Sequence, residues 1–306
     1  MTASALMASR PVLLAAAGAA CIAFSGIFVR LADVTPSTAA VYRCVYALPV
    51  LALLAVLERR RYGPREPGQQ LLASLAGLCF AVDLVAWHHC IAAVGAGLAT
   101  VLGNVQVVLV PLTAWLVLGE RPAGRVLAAV PVVSSGVVLI SGVVGSGAYG
   151  DDPTLGVVFG LLTAVSYAAF LLILRAGNRD VRRPAGPLFD ATVAAAVGSL
   201  ALGLPLGELE LGPSWPAHGW LVLLALSAQV VGWLLISLSL PRVPAALTSV
   251  VLTLQPVSAV FLAALIVDED PSAAQTAGVA VVVAGILLAT VRRRGGEPAP
   301  AVSTST

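Results

Sequence analysis

Few charged side chains interrupt the apolar stretches of this sequence, and those few are where chemistry is available. Arg43 and Asp83 each stand inside a long apolar run. A guanidinium in such a setting either anchors an anionic group or reaches along its own stem to water. A carboxylate there binds a cation, carries a proton through a change of charge, or forms a static pair with a nearby arginine. Arg43 and Asp83 can reach similar depths on neighbouring helices, so both a functional site and a structural pair are open readings. His88 and His89 sit about one turn beyond Asp83. Adjacent helical positions diverge by about 100°, so both rings cannot face one cavity. Histidine can relay protons near neutral pH, but hydrogen bonding at a helix end is the commoner role and the one expected here. Asn104, Gln106, Gln229 and Gln255 are neutral and deep. They either hydrogen-bond a solute or tie helices together at about 0.6–2 kcal/mol per bond. Trp87, Tyr167 and Trp233 are suited to the wall of a pocket for a small organic solute, or to plain packing.

Other chemistries have no carrier. Cys21, Cys44, Cys79 and Cys90 all lie in apolar stretches without metal-ligand spacing, so neither a metal site nor a disulfide framework is expected. The cluster His88-His89-Cys90 matches no nucleophile–base or zinc pattern, and Ser25 in FSGIF lacks the nucleophile elbow. An enzyme is therefore not expected, and a membrane-embedded one is the weakest alternative. No GxxxxGK[ST] loop is present, so ATP coupling within the chain is not expected either. No cofactor and no nucleic-acid partner are expected.

The elements that must position these residues are set by composition. Of 306 residues, 59% are hydrophobic and 10% charged, against about a quarter charged in soluble domains. Lipid is the solvent such a chain requires. Crossing about 30 Å of hydrocarbon takes about 20 apolar residues as a helix, and helices satisfy their own backbone hydrogen bonds. Charges, prolines and glycines divide the chain into ten apolar segments: 11–29, 36–57, 70–93, 96–118, 124–145, 155–175, 187–206, 217–239, 244–266 and 273–291. The first is read as an uncleaved helix rather than a signal peptide. The stretch 295–306 reads as a disordered cytoplasmic tail.

Arginine placement orients the segments. The sequence has no Lys and 17 basic residues, all Arg. With the N-terminus in the cytoplasm and ten crossings, fifteen of them fall inside: Arg10, Arg59, Arg60, Arg61, Arg65, Arg121, Arg125, Arg175, Arg179, Arg182, Arg183, Arg242, Arg292, Arg293 and Arg294. Only Arg30 falls outside, with Arg43 inside the second segment. This is a positive-inside distribution. It predicts a multi-pass protein of the cell's inner membrane with both termini cytoplasmic.

The two halves repeat. A gapless shift of 149 pairs Leu98 with Leu247, Gln106 with Gln255, Glu120 with Glu269, Pro122 with Pro271 and Gly136 with Gly285. A shift of 146 pairs Trp87 with Trp233 and sets Asp83 opposite Gln229. Five segments per half is an odd number, so the second copy enters from the opposite side. That is the inverted-repeat plan of many secondary transporters, with the substrate near the midplane between the halves. The expected fold is an all-α membrane protein of about ten transmembrane helices in a five-plus-five inverted repeat, 11–145 and 155–292. Glu120 and Glu269 then fall at opposite membrane faces, as boundary or gate residues.

With ten segments, the repeat, and the stretch TLQPVSAVFLAALIVDED, the chain resembles the EamA branch of the drug/metabolite transporter superfamily. Gln255, Pro256, Glu269 and Gly285 carry the resemblance in the second half, and Glu120 and Gly136 in the first. Val107 departs from it, standing where Pro256 has its partner. The resemblance implies a central cavity lined by the first, third, fourth, sixth, eighth and ninth segments. It also implies export of a small metabolite or amino acid by alternating access, with proton coupling open. A flippase for lipid-linked substrates on the same fold is the alternative, and a homodimer is compatible with either. The residues expected at the substrate are Asp83, Trp87, Asn104, Gln106, Tyr167, Gln229, Trp233 and Gln255, with Arg43 as anion anchor or charge partner.

Overall fold

Apolar runs punctuated by proline and glycine fold here as helices, and all regular structure among the described residues is helical. The computed structural model describes residues 11–119, 121–177, 180, 182–239 and 245–290. Arg10, Glu120, Arg179, Arg242, Arg292, Arg293, Arg294 and the stretch 295–306 lie outside the described residues. The helices are α1 (Pro11–Ala23), α2 (Ser25–Ala32), α3 (Pro36–Tyr62), α4 (Pro67–Val94), α5 (Ala96–Gly103), α6 (Gln106–Leu118), α7 (Gly124–Ile140), α8 (Pro153–Gly177), α9 (Ala185–Leu206) and α10 (Ala217–Leu224). A π-helical stretch, Ala225–Gly232, then leads into α11 (Trp233–Ser239), α12 (Ala245–Ile266) and α13 (Ala273–Thr290). Prolines at the first helical position start α3 and α4, where the missing N–H is no loss. Gly95, at φ +86°, turns the chain between α4 and α5.

Among the described residues, seven stretches are long and apolar enough to cross a membrane: Leu13–Ala32, Pro36–Tyr62, Pro67–Val94, Ala96–Thr113, Pro153–Leu174, Ala185–Leu206 and Ala217–Leu238. Three shorter apolar helices accompany them: Gly124–Ile140, Gln255–Ile266 and Ala273–Ala289. The fifth segment is thus shorter than its apolar run suggests: α7 ends at Ile140, and the glycine- and serine-rich residues after it form turns.

Packing follows the repeat. α4 lies along α8, and α1–α2 along α10–α11, two contacts that exchange when the halves are exchanged. α3 packs on α9, and α7 on α13, each with its own counterpart. The α7–α13 contact shows the polarity. A Cβ on Gly136 would lie 2.7 Å from Val282 Cγ2, and one on Gly285 would lie 2.6 Å from Val133 Cγ2. Shifted by 149, each of these contacts becomes the other. Arg125, at the start of α7, donates to the Ala289 carbonyl at the end of α13 (3.1 Å), while Gln275, at the start of α13, donates to the Ile140 carbonyl at the end of α7 (3.3 Å). The helices run antiparallel, as copies of opposite polarity must.

Candidate functional site

Two helix breaks flank one cavity, and a third irregularity lies behind its wall. The first rod breaks at Phe24, between α1 and α2, and the fourth at Asn104 and Val105. At the second break the backbone tightens to three-residue spacing, Val105 N to the Leu102 carbonyl (3.1 Å) and Val107 N to the Asn104 carbonyl (3.1 Å). The third is the π-helical stretch Ala225–Gly232. Interrupted helices release backbone groups and re-aim side chains, which in membranes is tolerated where they line a cavity.

The cavity has a volume of about 340 Å³. α4 supplies Phe80, Asp83 and Trp87 from one helical face, and Arg43 enters from α3. Asn104, Gln106, Tyr167, Trp233 and Gln255 complete its wall on the expected side chains, and Ser25, Thr100 and Thr163 add hydroxyls. Asn104 also donates to the Thr100 carbonyl (2.8 Å). Phe80, Phe170 and Trp233 form an aromatic cluster, with Phe80 and Phe170 stacked at 4.5 Å and Phe170 meeting Trp233 edge-on at 5.5 Å. Leu171, Ile236 and Ile286 extend the lining toward the C-terminal ends of α8, α11 and α13.

Two readings change. Arg43 and Asp83 are both buried and both reach the cavity, but no ion pair joins them among the described residues. Arg43 instead donates its Nε to Gln229 Oε1 (3.1 Å) and lays its guanidinium over Trp87 (5.5 Å). A direct ion pair is not formed, and Gln229 accepts from the arginine in its place. Gln229, expected as a wall residue, is fully buried behind the wall, where its amide donates to Thr192 Oγ1 (3.3 Å) and its oxygen orients Arg43. Asp83 has no side-chain hydrogen bond among the described residues, and neither does either Nη of Arg43.

The histidines divide. His89 bonds the Val85 carbonyl (2.8 Å) and Glu208 (2.9 Å), the interfacial role expected of it. His88 does not share that role: it is 1% exposed, and both ring nitrogens lack a partner among the described residues. No group of three or more His, Cys, Asp or Glu that could hold a metal occurs among the described residues.

Phe80 and Thr100 were not singled out from sequence. Phe80 was findable, because it stands three residues before Asp83 and seven before Trp87, on one helical face.

A further set of polar contacts joins the end of α12 to the start of α5. Glu269, after α12, accepts N–H bonds from Ala96 (2.6 Å) and Gly97 (3.0 Å) at the start of α5, with Arg30 Nε 3.8 Å away. Its side chain is 1% exposed. Burial pushes its pKa up, against the pull of the two N–H groups and Arg30. On the same side Glu208 accepts from Ser37 (2.7 Å) and pairs with His89. Burial raises its pKa, but the bonds from Ser37 and His89 outweigh burial and hold it below the usual carboxylate range.

Against known proteins, the model of the EamA-like transporter family matches residues 9–142 and again 154–291. The chain belongs to the EamA-like transporter family. It is accordingly a multi-pass membrane protein of transporter type, with the two-repeat architecture of that family. No curated protein matches it. A solved structure described only as a crystal structure of a protein is similar over 92% of this chain and 96% of its own, at 16% identity and a TM-score of 0.61. At that identity the likeness speaks for the fold alone.

Proposed function

We propose that this EamA-like protein is a secondary active transporter that exports a small dipolar solute, an amino acid or a metabolite of similar charge pattern, by alternating access. One observation carries the reading. A cavity between two halves of opposite polarity presents Arg43 and Asp83 side by side without pairing them. Arg43, held by Gln229, offers its two Nη groups to a carboxylate. Asp83 accepts an ammonium, or a proton when the solute has left, which would couple export to the proton gradient. Trp87, Tyr167 and Trp233 enclose the apolar part of the solute, and Asn104, Gln106 and Gln255 supply neutral hydrogen bonds. The chain crosses the cell's inner membrane ten times with both termini and the arginine-rich face in the cytoplasm. The cavity lining continues toward that face, while the Glu269 latch closes the other.

The test is counterflow in proteoliposomes with labelled neutral amino acids, sugars and cationic dyes. Amino acids are expected to exchange. Asp83→Asn is expected to abolish pH-dependent uptake while leaving the folded protein abundant. Unchanged pH-dependent flux in Asp83→Asn removes the coupling role, and exchange restricted to sugars removes the dipolar solute. Reporter fusions at 59–65 inside and 146–154 outside are expected, and the reverse result overturns the orientation.

A further inference from the structure

A second cavity, of about 180 Å³, lies away from the first, where the end of α3 and the start of α4 meet the start of α9. Arg59, Arg65 and Arg183 face it, with Glu58 and Asp190. The acids are already engaged. Glu58 caps α9 through both oxygens, accepting from Ala185 N (2.9 Å) and Gly186 N (2.8 Å). Asp190 accepts from Arg65 Nη1 at 2.7 Å. Arg183 spends Nε on Asp180 (3.1 Å) and Nη1 on the Gly63 carbonyl (3.1 Å). The Arg59 side chain has neither a hydrogen bond nor an ion pair among the described residues; only its carbonyl is engaged, accepting from Gly63 N (2.9 Å). The cavity therefore holds one uncompensated cation, with unused guanidinium donors on Arg59 and Arg183. Planar guanidinium forks suit phosphate oxygens.

Its depth is informative. The apolar run of α3 ends at Leu57, immediately before Glu58 and Arg59. Leu53, Val56 and Leu57 are 60%, 46% and 50% exposed and share one helical face leading up to the cavity. Val56 is itself part of the lining. A phosphate above an apolar stripe of this kind is the shape of a phospholipid, and basic pockets between helices are suited to anionic headgroups.

We propose that this cavity binds the phosphate of an anionic phospholipid, with an acyl chain lying along Leu53, Val56 and Leu57. The lipid bridges α3 and α4 of the first repeat to α9 of the second, beside the junction that Glu58 makes.

The full chain in neutral detergent, titrated with short-chain phosphatidylglycerol, phosphatidylcholine of the same chain length and inorganic phosphate, tests this. Bound lipid is counted by native mass spectrometry, and thermal stability is followed in parallel. Phosphatidylglycerol is expected to be retained as one molecule and to raise the Tm where phosphatidylcholine does not. Arg59→Gln is expected to weaken that binding about fivefold, the size of one arginine near an anionic surface. The Arg59 side chain has no partner to lose among the described residues, so this variant is expected to keep the fold, and Arg121→Gln serves as a remote control. Equal retention of the two lipids, or full retention by Arg59→Gln, overturns the site. Protection by inorganic phosphate equal to that by phosphatidylglycerol overturns the lipid and leaves a site for soluble phosphate esters.

Discussion

Removing the Glu269 carboxylate is expected to open the acidic face of the cavity. The side chain is 1% exposed and accepts two backbone N–H bonds at 2.6 and 3.0 Å. In Glu269→Ala, the N–H groups of Ala96 and Gly97 stay buried without acceptors for as long as the face is closed. Each charge-assisted bond contributes about 1.5–3 kcal/mol. The lower figure applies, because burying this carboxylate is itself unfavourable, as its raised pKa records. Two bonds then give about 3 kcal/mol in favour of the closed face, and at about 1.4 kcal/mol per tenfold their loss shifts the balance roughly a hundredfold toward opening. Glu269→Gln keeps one good acceptor oxygen, so about half the energy and roughly a tenfold shift are expected. The assay is labelling of Ser25→Cys, a cavity position, in a chain freed of Cys21, Cys44, Cys79 and Cys90. A membrane-impermeant maleimide is applied from the side of the 146–154 loop. Labelling should accelerate in the order wild type, Glu269→Gln, Glu269→Ala. Equal rates in three folded proteins would refute the latch.

Three further outcomes are expected. Gly136→Ala would place a Cβ 2.8 Å from the Gly278 carbonyl oxygen, and backbone cannot step aside, so a loss of about 1–3 kcal/mol is expected in thermal unfolding; Gly124→Ala, which meets nothing within 4 Å, should be neutral. Gln229→Leu strands Arg43 Nε, while the Thr192 hydroxyl keeps its bond to the Leu188 carbonyl, so solute affinity in counterflow should fall while Gln229→Glu, which keeps an acceptor, retains more of it. Glu208 has a depressed pKa in the fold, so its contribution is complete above the ordinary value of 4.5 and is lost as pH falls below it. Thermal stability should drop through that window in the wild type and less steeply in Glu208→Gln.

The helices were legible because lipid leaves the chain little choice: a run of apolar residues must satisfy its own backbone, and the arginines mark the same end of successive runs. The repeat was legible through polar coincidences such as Gln106 with Gln255. Much of the cavity followed, since Asp83 and Trp87 share a helical face and polar residues at that depth need a reason. What sequence could not resolve were choices between partners. Arg43 had Asp83 and Gln229 within plausible reach, and only packing shows Gln229 taking it, by way of a π-helical stretch that no spacing rule announces. His88 and His89 looked alike until one met Glu208 and the other packed against Trp87 with no hydrogen-bond partner among the described residues. Glu269 was recognisable as a boundary residue, but its partners are the N–H groups of a helix start 172 and 173 residues away, and backbone groups carry no sequence signature.

The reciprocal contact of α7 with α13 bears on how such a chain can move. Gly136 on Val282 and Val133 on Gly285 are one contact written twice, so they straddle the axis that relates the halves. In the alternating access proposed above, where the halves would trade conformations, every off-axis contact would be exchanged for its counterpart, and the Glu269 contact would give way at one face. A contact on the axis is its own counterpart and is the same before and after. In the proposed cycle α7 and α13 would thus form a stationary fulcrum, a seam that could be packed as tightly as glycine allows without slowing the exchange.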